Sequence, residues 1–345
     1  MNSQPSAGGT LAATPMAAGR GGDTGAQEAQ GAPGTPGTPG APGAPGAPGD
    51  FRVWPGDPAT FTTSRMQAIR HNFDRHPLMQ LGELAQLAKR LHPHKQCRFI
   101  VPGATQTSEF DHQDTDVAGR SIDEVFERIE EPRSWIALYN VETDPVYRGF
   151  LAEVAATVRP LVEREQPGMY QVGGFIFISA PPSVTPFHID RENNFWLQVR
   201  GRKVMSVFDH TDRDLVSAAA RDNFILYGQN TRVKSDEYLS RARHFHVGPG
   251  DGVYFPSTSP HMTRCEPGSA RPGDGVSISI GVVFYTEVTR RHAYVHALND
   301  ALRRRGFSPR EPGESDGLDR LKALGGRALV WVGKTFKGYK PSASF

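Results

Sequence analysis

The chain has 345 residues and a formal net charge of +2, with 39 lysines and arginines against 37 acidic residues. This length allows one domain with a substantial core and helical additions. The near-neutral charge, without a basic run interleaved with aromatic residues, does not indicate nucleic-acid binding. No apolar run approaches the ~20 residues of a membrane helix, so no membrane association is expected.

The chain contains two cysteines, Cys97 and Cys265, which lie far apart and lack CxxC spacing. This usage is typical of free thiols in a reducing compartment rather than of a disulfide framework. The cytoplasm is therefore the expected location.

Residues 1–50 are predicted to form a disordered tail. They are rich in Gly, Ala, Pro and Thr with almost no large apolar side chains, so they cannot bury enough surface to offset the entropy of ordering. A Gly-Ala-Pro or Gly-Thr-Pro repeat within the tail has the period of collagen, but about six triplets favour an extended linker over a triple helix.

Residues 51–169 are predicted to be a helical and mixed segment that packs on a barrel. The signals are an amphipathic helix over 81–91 ended by His92-Pro93, a capping box at Ser121 and Glu124, a short buried strand over 135–139, and a helix starting at Asp144-Pro145. All of these elements are interpreted as scaffold.

From residue 170 to 286 the hydrophobic period changes to two, which predicts a β-barrel domain. Strand-like runs occur at 174–179, 187–199, 203–208, 244–247, 252–255 and 276–285. Many short strands between Gly and Pro turns favour a jelly roll, giving a mainly β fold with flanking helices. The intervening residues 209–243 are expected to be a long functional or mobile loop.

Residues 287–345 are predicted to be a C-terminal helical extension. A helix over 286–305 ends at Gly306, and Arg303 to Arg305 are interpreted as a charge cluster favoured by the helix dipole. The last segment combines a short helical pattern, the apolar run 328–332 and three lysines. It could cap the barrel, form a homodimer or dock another partner.

The most informative stretch is residues 185–203, TPFHIDRENNFWLQVRGRK. His188 and Asp190 are two apart, so on an extended strand both side chains point to one side, about ~7 Å apart along the backbone. An imidazole beside a carboxylate suits a divalent ion such as Fe(II), and a second histidine would complete a 2-His-1-carboxylate face with open positions. His261 is the preferred third ligand, and the pair His244 and His246 is its main rival.

Further polar residues of this stretch predict a pocket beside the metal. Lys203 opens a strand facing the barrel interior, where an ammonium group is costly unless an anion meets it. Thr185 can offer a hydroxyl to the same anion. Asn194, Trp196 and Gln198 share one strand face and predict a polar, partly aromatic wall. Trp196 could equally be simple packing.

Together these residues resemble the JmjC and cupin-like Fe(II)- and 2-oxoglutarate-dependent oxygenases, including their protein-hydroxylating branch, over about residues 170–285. The resemblance implies a double-stranded β-helix. It implies that the iron ligands are His188, Asp190 and His261. It also implies that Thr185 and Lys203 hold the far carboxylate of 2-oxoglutarate and that Asn194 lines the cosubstrate pocket.

Residues 250–261 also resemble the second motif of the cupins. Thr258 stands where that motif usually has glycine, and Cys265 stands where it usually has asparagine. These departures leave the structure of this loop open, while the predicted metal ligands are all present.

The resemblance implies a dioxygenase that uses Fe(II), 2-oxoglutarate and O2 to hydroxylate a protein side chain or a small metabolite. A second hypothesis is a cupin-like regulatory module that binds a metal and an acid without turnover. A zinc-dependent isomerase is a third, and it fits Lys203 less well.

Overall fold

The computed structural model describes residues 51–100, 113–114, 120–229, 236–265, 275–342 and 344–345. The predicted tail, residues 1–50, lies outside them. The strands are β1 Val53–Pro55, β2 Gln67–His71, β3 Cys97–Ile100, β4 Gln113–Asp114, β5 Trp135–Leu138, β6 Tyr170–Ser179, β7 Ser183–His188, β8 Asn193–Arg200, β9 Lys203–Val207, β10 Arg243–Val247, β11 Asp251–Phe255, β12 His261–Cys265 and β13 Ser277–Tyr285. The α-helices are α1 Leu81–Leu91, α2 Ile122–Glu127, α3 Pro145–Val162, α4 Ala218–Tyr227, α5 Glu287–Arg303 and α6 Asp316–Phe336.

The strands form two antiparallel sheets. The larger has the order β1-β2-β11-β8-β13-β6-β5-β3-β4, and the smaller has the order β10-β9-β12-β7. The eight strands β6 to β13 divide equally between them, as β11-β8-β13-β6 and β10-β9-β12-β7. This is the double-stranded β-helix, or jelly roll. The predicted mainly β class with flanking helices is confirmed.

Strand alternation separates two apolar layers on β8. Phe195 and Leu197 point outward into the main core, which they share with residues of α3 such as Phe150. Trp196 points inward and packs with Met205 of β9 in a separate cluster. The larger sheet is thus covered by helices on one face and lines the barrel interior with the other.

The N-terminal segment extends the larger sheet instead of only packing on it. Strands β1 and β2 add beyond β11, where Gly252 pairs with Ile69, and β5, β3 and β4 add beyond β6. The capping box of Ser121 and Glu124 and the Asp144 N-cap are present as predicted. Strands β1 and β2 were not predicted, because they are short and alternate between buried and exposed positions without a sustained apolar pattern.

Two predictions about the barrel are wrong. The predicted strand 187–199 is two strands: β7 ends at His188 in the smaller sheet, and β8 begins at Asn193 in the larger sheet. The chain must turn between them to change sheets. The predicted loop 209–243 contains the helix α4, which Ser217 caps and which ends at Gly228 in the left-handed conformation.

The C-terminal extension is a pair of packed helices. Helix α5 begins after the Thr286 cap, and α6 is longer than the sequence pattern predicted. The two approach so closely that a Cβ atom on Gly326 would lie 1.8 Å from the carbonyl oxygen of Tyr294. Arg303 is not part of a solvated cluster, since it pairs with Asp222 and Glu311.

Cys97 and Cys265 are free and buried, which confirms the predicted thiols. Over the described ranges, every helix is too short or too polar to cross a bilayer.

Candidate metal centre

Three predicted metal ligands meet where β7 and β12, neighbouring strands of the smaller sheet, adjoin. His188 is the last residue of β7 and is the register partner of His261, the first residue of β12. Asp190 follows in the turn. The Nε2 atom of His261 lies 3.5 Å from Asp190 Oδ2, and that of His188 lies 4.0 Å from Oδ1. One ligand atom from each of the three residues falls within 4.8 Å of the others, which is the spacing of a shared metal ion.

Backbone carbonyls set the tautomers of both histidines. His188 Nδ1 lies 2.8 Å from the carbonyl oxygen of Pro186, and His261 Nδ1 lies 3.1 Å from that of Ser259. A carbonyl oxygen can only accept, so each Nδ1 donates to its carbonyl and each Nε2 is the ring nitrogen that faces Asp190.

The His188 imidazole is neutral at pH 7. Burial, and then the nearby His261, lower the pKa of His188 to about 3. Its approach to Asp190 is therefore not an ion pair but the convergence of two ligand atoms. Two imidazoles and one carboxylate fit a divalent first-row ion such as Fe(II).

The loop before β12 holds the Asp190 turn in place. The Thr258 N–H donates to the Asp190 carbonyl oxygen at 2.8 Å, and the Ser257 hydroxyl donates to the Arg191 carbonyl oxygen at 2.7 Å. Thr258 has a φ of +61°, in the left-handed region that favours glycine. The departure that the sequence showed at Thr258 therefore falls at a position whose backbone favours glycine.

The predicted pocket residues line one cavity with the metal ligands, between the two sheets. Thr185, Asn194, Trp196 and Lys203 all contribute to its wall. Each is at most 4% exposed. Trp196 packs in the interior cluster and also lines this cavity, so packing and pocket lining are not alternatives at this residue. The open space is about 20 Å³.

Lys203 is a buried cation that has no ion-pair partner among the described residues. Burial lowers the pKa of Lys203 from its ordinary 10.5 to about 8. Across the described part of the chain, no carboxylate forms an ion pair with it. Two acceptors of the cavity wall, Asn194 Oδ1 and Ser279 Oγ, also have no hydrogen-bond partner there. Such orphaned groups are costly unless a ligand satisfies them.

Other predicted residues do not reach this cavity. The Gln198 side chain donates instead to Ser277 Oγ and to the Arg200 carbonyl oxygen. His244 and His246, the rival pair, lie exposed on β10, where His244 Nδ1 is 2.8 Å from Ser206 Oγ.

Sequence reasoning missed several residues beside the metal. Phe175 and Phe177 of β6 line the cavity and are only partly buried. Their strand pattern could have identified them as inward-facing. Glu192 accepts a hydrogen bond from the Tyr285 hydroxyl at 2.5 Å, and burial followed by Asp190 raises the pKa of Glu192 to about 7. Glu192 and Tyr285 lie far apart in the sequence, so no sequence spacing could have predicted their contact.

Comparison with known proteins gives structural neighbours only. No family model and no curated protein matches the chain. A structure of the Escherichia coli ribosomal oxygenase YcfD in complex with cobalt and 2-oxoglutarate is 16% identical, covers 83% of this chain and 69% of that chain, and has a TM-score of 0.41. An X-ray structure of E. coli YcfD is 13% identical over 81% and 67%, with a TM-score of 0.40.

A further structure of the same ribosomal oxygenase is 15% identical and has a TM-score of 0.36. It covers 72% of this chain, which spans 57% of that chain's length. These neighbours are oxygenases, the class that the sequence resembles. At such identities and TM-scores the likeness does not establish what this chain does.

Proposed function

We propose that this protein is an Fe(II)- and 2-oxoglutarate-dependent dioxygenase that hydroxylates its substrate. The observation that carries the proposal is one cavity in which two Nε2 atoms and a carboxylate converge. Lys203, which has no ion-pair partner among the described residues, lies in the same wall. The first group fits iron, and the ammonium fits the far carboxylate of a dicarboxylic acid.

Each residue has a definite task in this proposal. His188, Asp190 and His261 would hold Fe(II) through their facing atoms. Lys203 and the Thr185 hydroxyl would hold the far carboxylate of 2-oxoglutarate, with Asn194 completing the wall. The bound cofactors would supply oxidative decarboxylation of 2-oxoglutarate to succinate and CO2, coupled to hydroxylation of a C–H bond by O2.

The barrel contributes position and exclusion of water. Because the open space is about 20 Å³, binding of a dicarboxylate requires side chains to move. Phe175 and Phe177 are only partly buried and are the candidates for this movement. Trp196 and Met205, which pack inside, add apolar surface to the wall and strengthen the attraction at Lys203.

A regulatory module that binds its ligand without turnover is the second candidate. Lys203 and the acceptors of Asn194 and Ser279 could bind an acid in such a module equally well. The two differ in turnover. Succinate formation from 2-oxoglutarate, measured with Fe(II) and a cell extract as the source of substrate, is expected for wild type and not for Asp190→Ala. Tight 2-oxoglutarate binding without iron-dependent succinate would favour the regulatory module and contradict the oxygenase. Zinc-dependent isomerase activity without a need for 2-oxoglutarate would favour the third candidate.

We also propose a homodimer formed through the C-terminal helices. Helix α6 packs on α5 with one side and exposes large apolar residues, with Leu321, Leu324, Trp331 and Phe336 between 59 and 71% exposed. A two-fold axis would set this face against its copy and cover it. Light scattering should give a dimer for wild type and a monomer for Trp331→Glu. A monomeric wild type would contradict the proposal.

The substrate is proposed to be a protein side chain or a small metabolite. The buried free thiols agree with a reducing compartment, so the cytoplasm is the proposed location.

A further inference from the structure

A second cavity of about 640 Å³ lies beside the metal centre. Arg191, which directly follows the ligand Asp190, lines it together with Thr258, whose N–H holds the Asp190 carbonyl oxygen. Helices α4 and α5 supply much of the remaining wall. A volume of this size is typical of sites for small molecules, which occupy about 300–1,000 Å³.

Arg221 of α4 is a buried cation that lines this cavity and forms no ion pair with any described residue. It is 3% exposed, and its Nε and Nη2 atoms have no hydrogen-bond acceptor within the described ranges. Burial, and then the charge of Arg213, lower the pKa of Arg221 to about 9. An unpaired buried guanidinium is strongly destabilising, so its retention calls for an anion.

Three carboxylates act on Arg221 through their charge, and each is engaged elsewhere. Asp209 accepts the N–H and the hydroxyl of Thr211. Asp222 lies 2.6 Å from His296 Nδ1 and 2.8 Å from Arg303 Nε. Glu311 pairs with Arg303 and lies 3.7 Å from Arg213. Over the part of the chain that the structure describes, none of the three forms an ion pair with Arg221.

Two further arginines line the same cavity and can donate to an anion, while two histidines beside them are uncharged at pH 7. The arginines are Arg213 and Arg291, and Arg291 Nε has no acceptor among the described residues. Burial lowers the pKa of His210 to about 4, with Arg221 as the next cause. Burial and the neighbouring His296 lower the pKa of His292 to about 3.

Four acidic residues also line the cavity, but they do not neutralise Arg221. Glu165, Glu314 and Asp316 are exposed, and Asp316 pairs with Arg291 at 2.8 Å. Asp319 is buried and accepts the Gly313 N–H at 2.7 Å.

We propose that this cavity binds an oxyanion of a small molecule, a carboxylate or a phosphate group, on Arg221 with help from Arg213 and Arg291. Guanidinium groups suit both oxyanions because they donate two parallel hydrogen bonds. The further assignment of this molecule as the substrate rests on the proposed oxygenase function. In that case the oxyanion is recognised beside the turn that carries Asp190, and the substrate class is an anionic metabolite.

The experiment titrates full-length protein with inorganic phosphate and, separately, with malonate, using calorimetry without iron or 2-oxoglutarate. At least one probe should bind wild type, and its Kd should weaken at least tenfold in Arg221→Met and in Arg213→Gln. Arg98→Gln is the matched control, since Arg98 is exposed and stacks on Tyr139 outside this cavity. The probe that binds identifies the oxyanion.

Arg221→Met should also raise the melting temperature in anion-free buffer, because it removes an unpaired buried charge. If Arg221→Met loses anion binding but has a higher melting temperature, the loss is due to the missing guanidinium and not to misfolding. If Arg221→Met does not fold, the anion affinity of Arg213→Gln provides the test. Failure of both probes to bind wild type, or wild-type affinity in both variants, would overturn the proposal. The assay needs no turnover, so a failed succinate assay does not affect its result.

Discussion

The two cavities of this molecule differ in how the chain builds them. The barrel cavity takes its residues from strands, where side chains two apart point the same way, as Asn194 and Trp196 do on β8. The second cavity takes Arg221 from α4, Arg291 from α5 and Arg213 from the segment before α4. Residue spacing therefore reveals the first site and gives no sign of the second.

Both cavities nevertheless share one physical feature, a buried cation without an ion-pair partner among the described residues. Burial lowers the pKa of Lys203 to about 8 and that of Arg221 to about 9. Each buried charge destabilises the folded chain, and a ligand bound at each site would offset that destabilisation. The barrel cavity can therefore be recognised from the sequence. The second cavity can be recognised only from the unfavourable burial of a charge in the folded structure.

The largest effect is expected from removing a metal ligand of the barrel cavity. Asp190→Ala takes away the carboxylate that faces both Nε2 atoms, so iron-dependent succinate formation should fall at least ~1,000-fold, as for loss of an essential group. Ferrous binding should weaken in parallel. His246→Ala removes an exposed histidine of β10 and should keep full activity. Equal losses in the two variants would contradict the assignment of the ligands.

The next effect is expected at Lys203. Lys203→Met should weaken 2-oxoglutarate binding by about 2–5 kcal/mol, roughly 30- to several-thousand-fold, because the buried carboxylate loses its charged partner. The same change should raise the melting temperature of the ligand-free protein. Lys334→Met, at an exposed position of α6, serves as the control. Unchanged 2-oxoglutarate affinity in Lys203→Met would show that the ammonium group does not hold the cosubstrate.

The pKa of Lys203 also predicts how 2-oxoglutarate binding depends on pH. The ligand binds the charged ammonium, and without ligand that charge is lost as pH rises through about 8. Affinity should therefore be constant below pH 8 and fall by up to about tenfold per pH unit above it. Lys203→Met should abolish this slope, and a slope that persists there would assign the titration to another group.

The ligand-free fold should respond in the opposite direction. The folded pKa of Lys203 lies below its ordinary 10.5, so burial destabilises the charged form, and this cost is fully present below pH 8. The contribution of Lys203 to the free energy of unfolding should rise between about pH 8 and 10.5. Comparison of wild type with Lys203→Met by denaturant unfolding isolates this contribution.

The sequence was sufficient to predict the jelly roll and the clustering of His188, Asp190 and His261. His188 and His261 are 73 positions apart in the chain, yet they are register partners because β7 and β12 are neighbours in the smaller sheet. Spacing alone could not place His261 there. Resemblance to the oxygenases supplied the link, and the topology supports it.

Other features could not be predicted because they depend on tertiary contacts. Helix α4 has a weak amphipathic pattern and buries polar residues such as Arg221 and Asp222, so the stretch reads as a loop. Arg303 looked like a helix-terminal charge, but Asp222 and Glu311 lie beside it only in the folded chain. Strand periodicity also missed the turn from 189 to 192, since strand-forming residues such as Phe187 and Phe195 lie on both sides of it.

The smallest expected effect compares two adjacent asparagines of β8. Asn193 donates to Gln166 Oε1 and accepts the Ser257 N–H, both at 3.0 Å, so Asn193→Ala should lower the free energy of unfolding by about 1–3 kcal/mol. Asn194 faces the barrel cavity, and its Oδ1 atom has no partner among the described residues.

Asn194→Ala should therefore leave stability unchanged or slightly raised and weaken 2-oxoglutarate binding several-fold, the scale of one neutral hydrogen bond. Urea unfolding and ligand titration on both variants measure the two effects separately. Because adjacent strand residues face opposite sides, the variants should change different quantities: stability for Asn193, and affinity for Asn194. A large stability loss in Asn194→Ala with unchanged affinity would mean that its side chain supports the fold rather than the cosubstrate pocket.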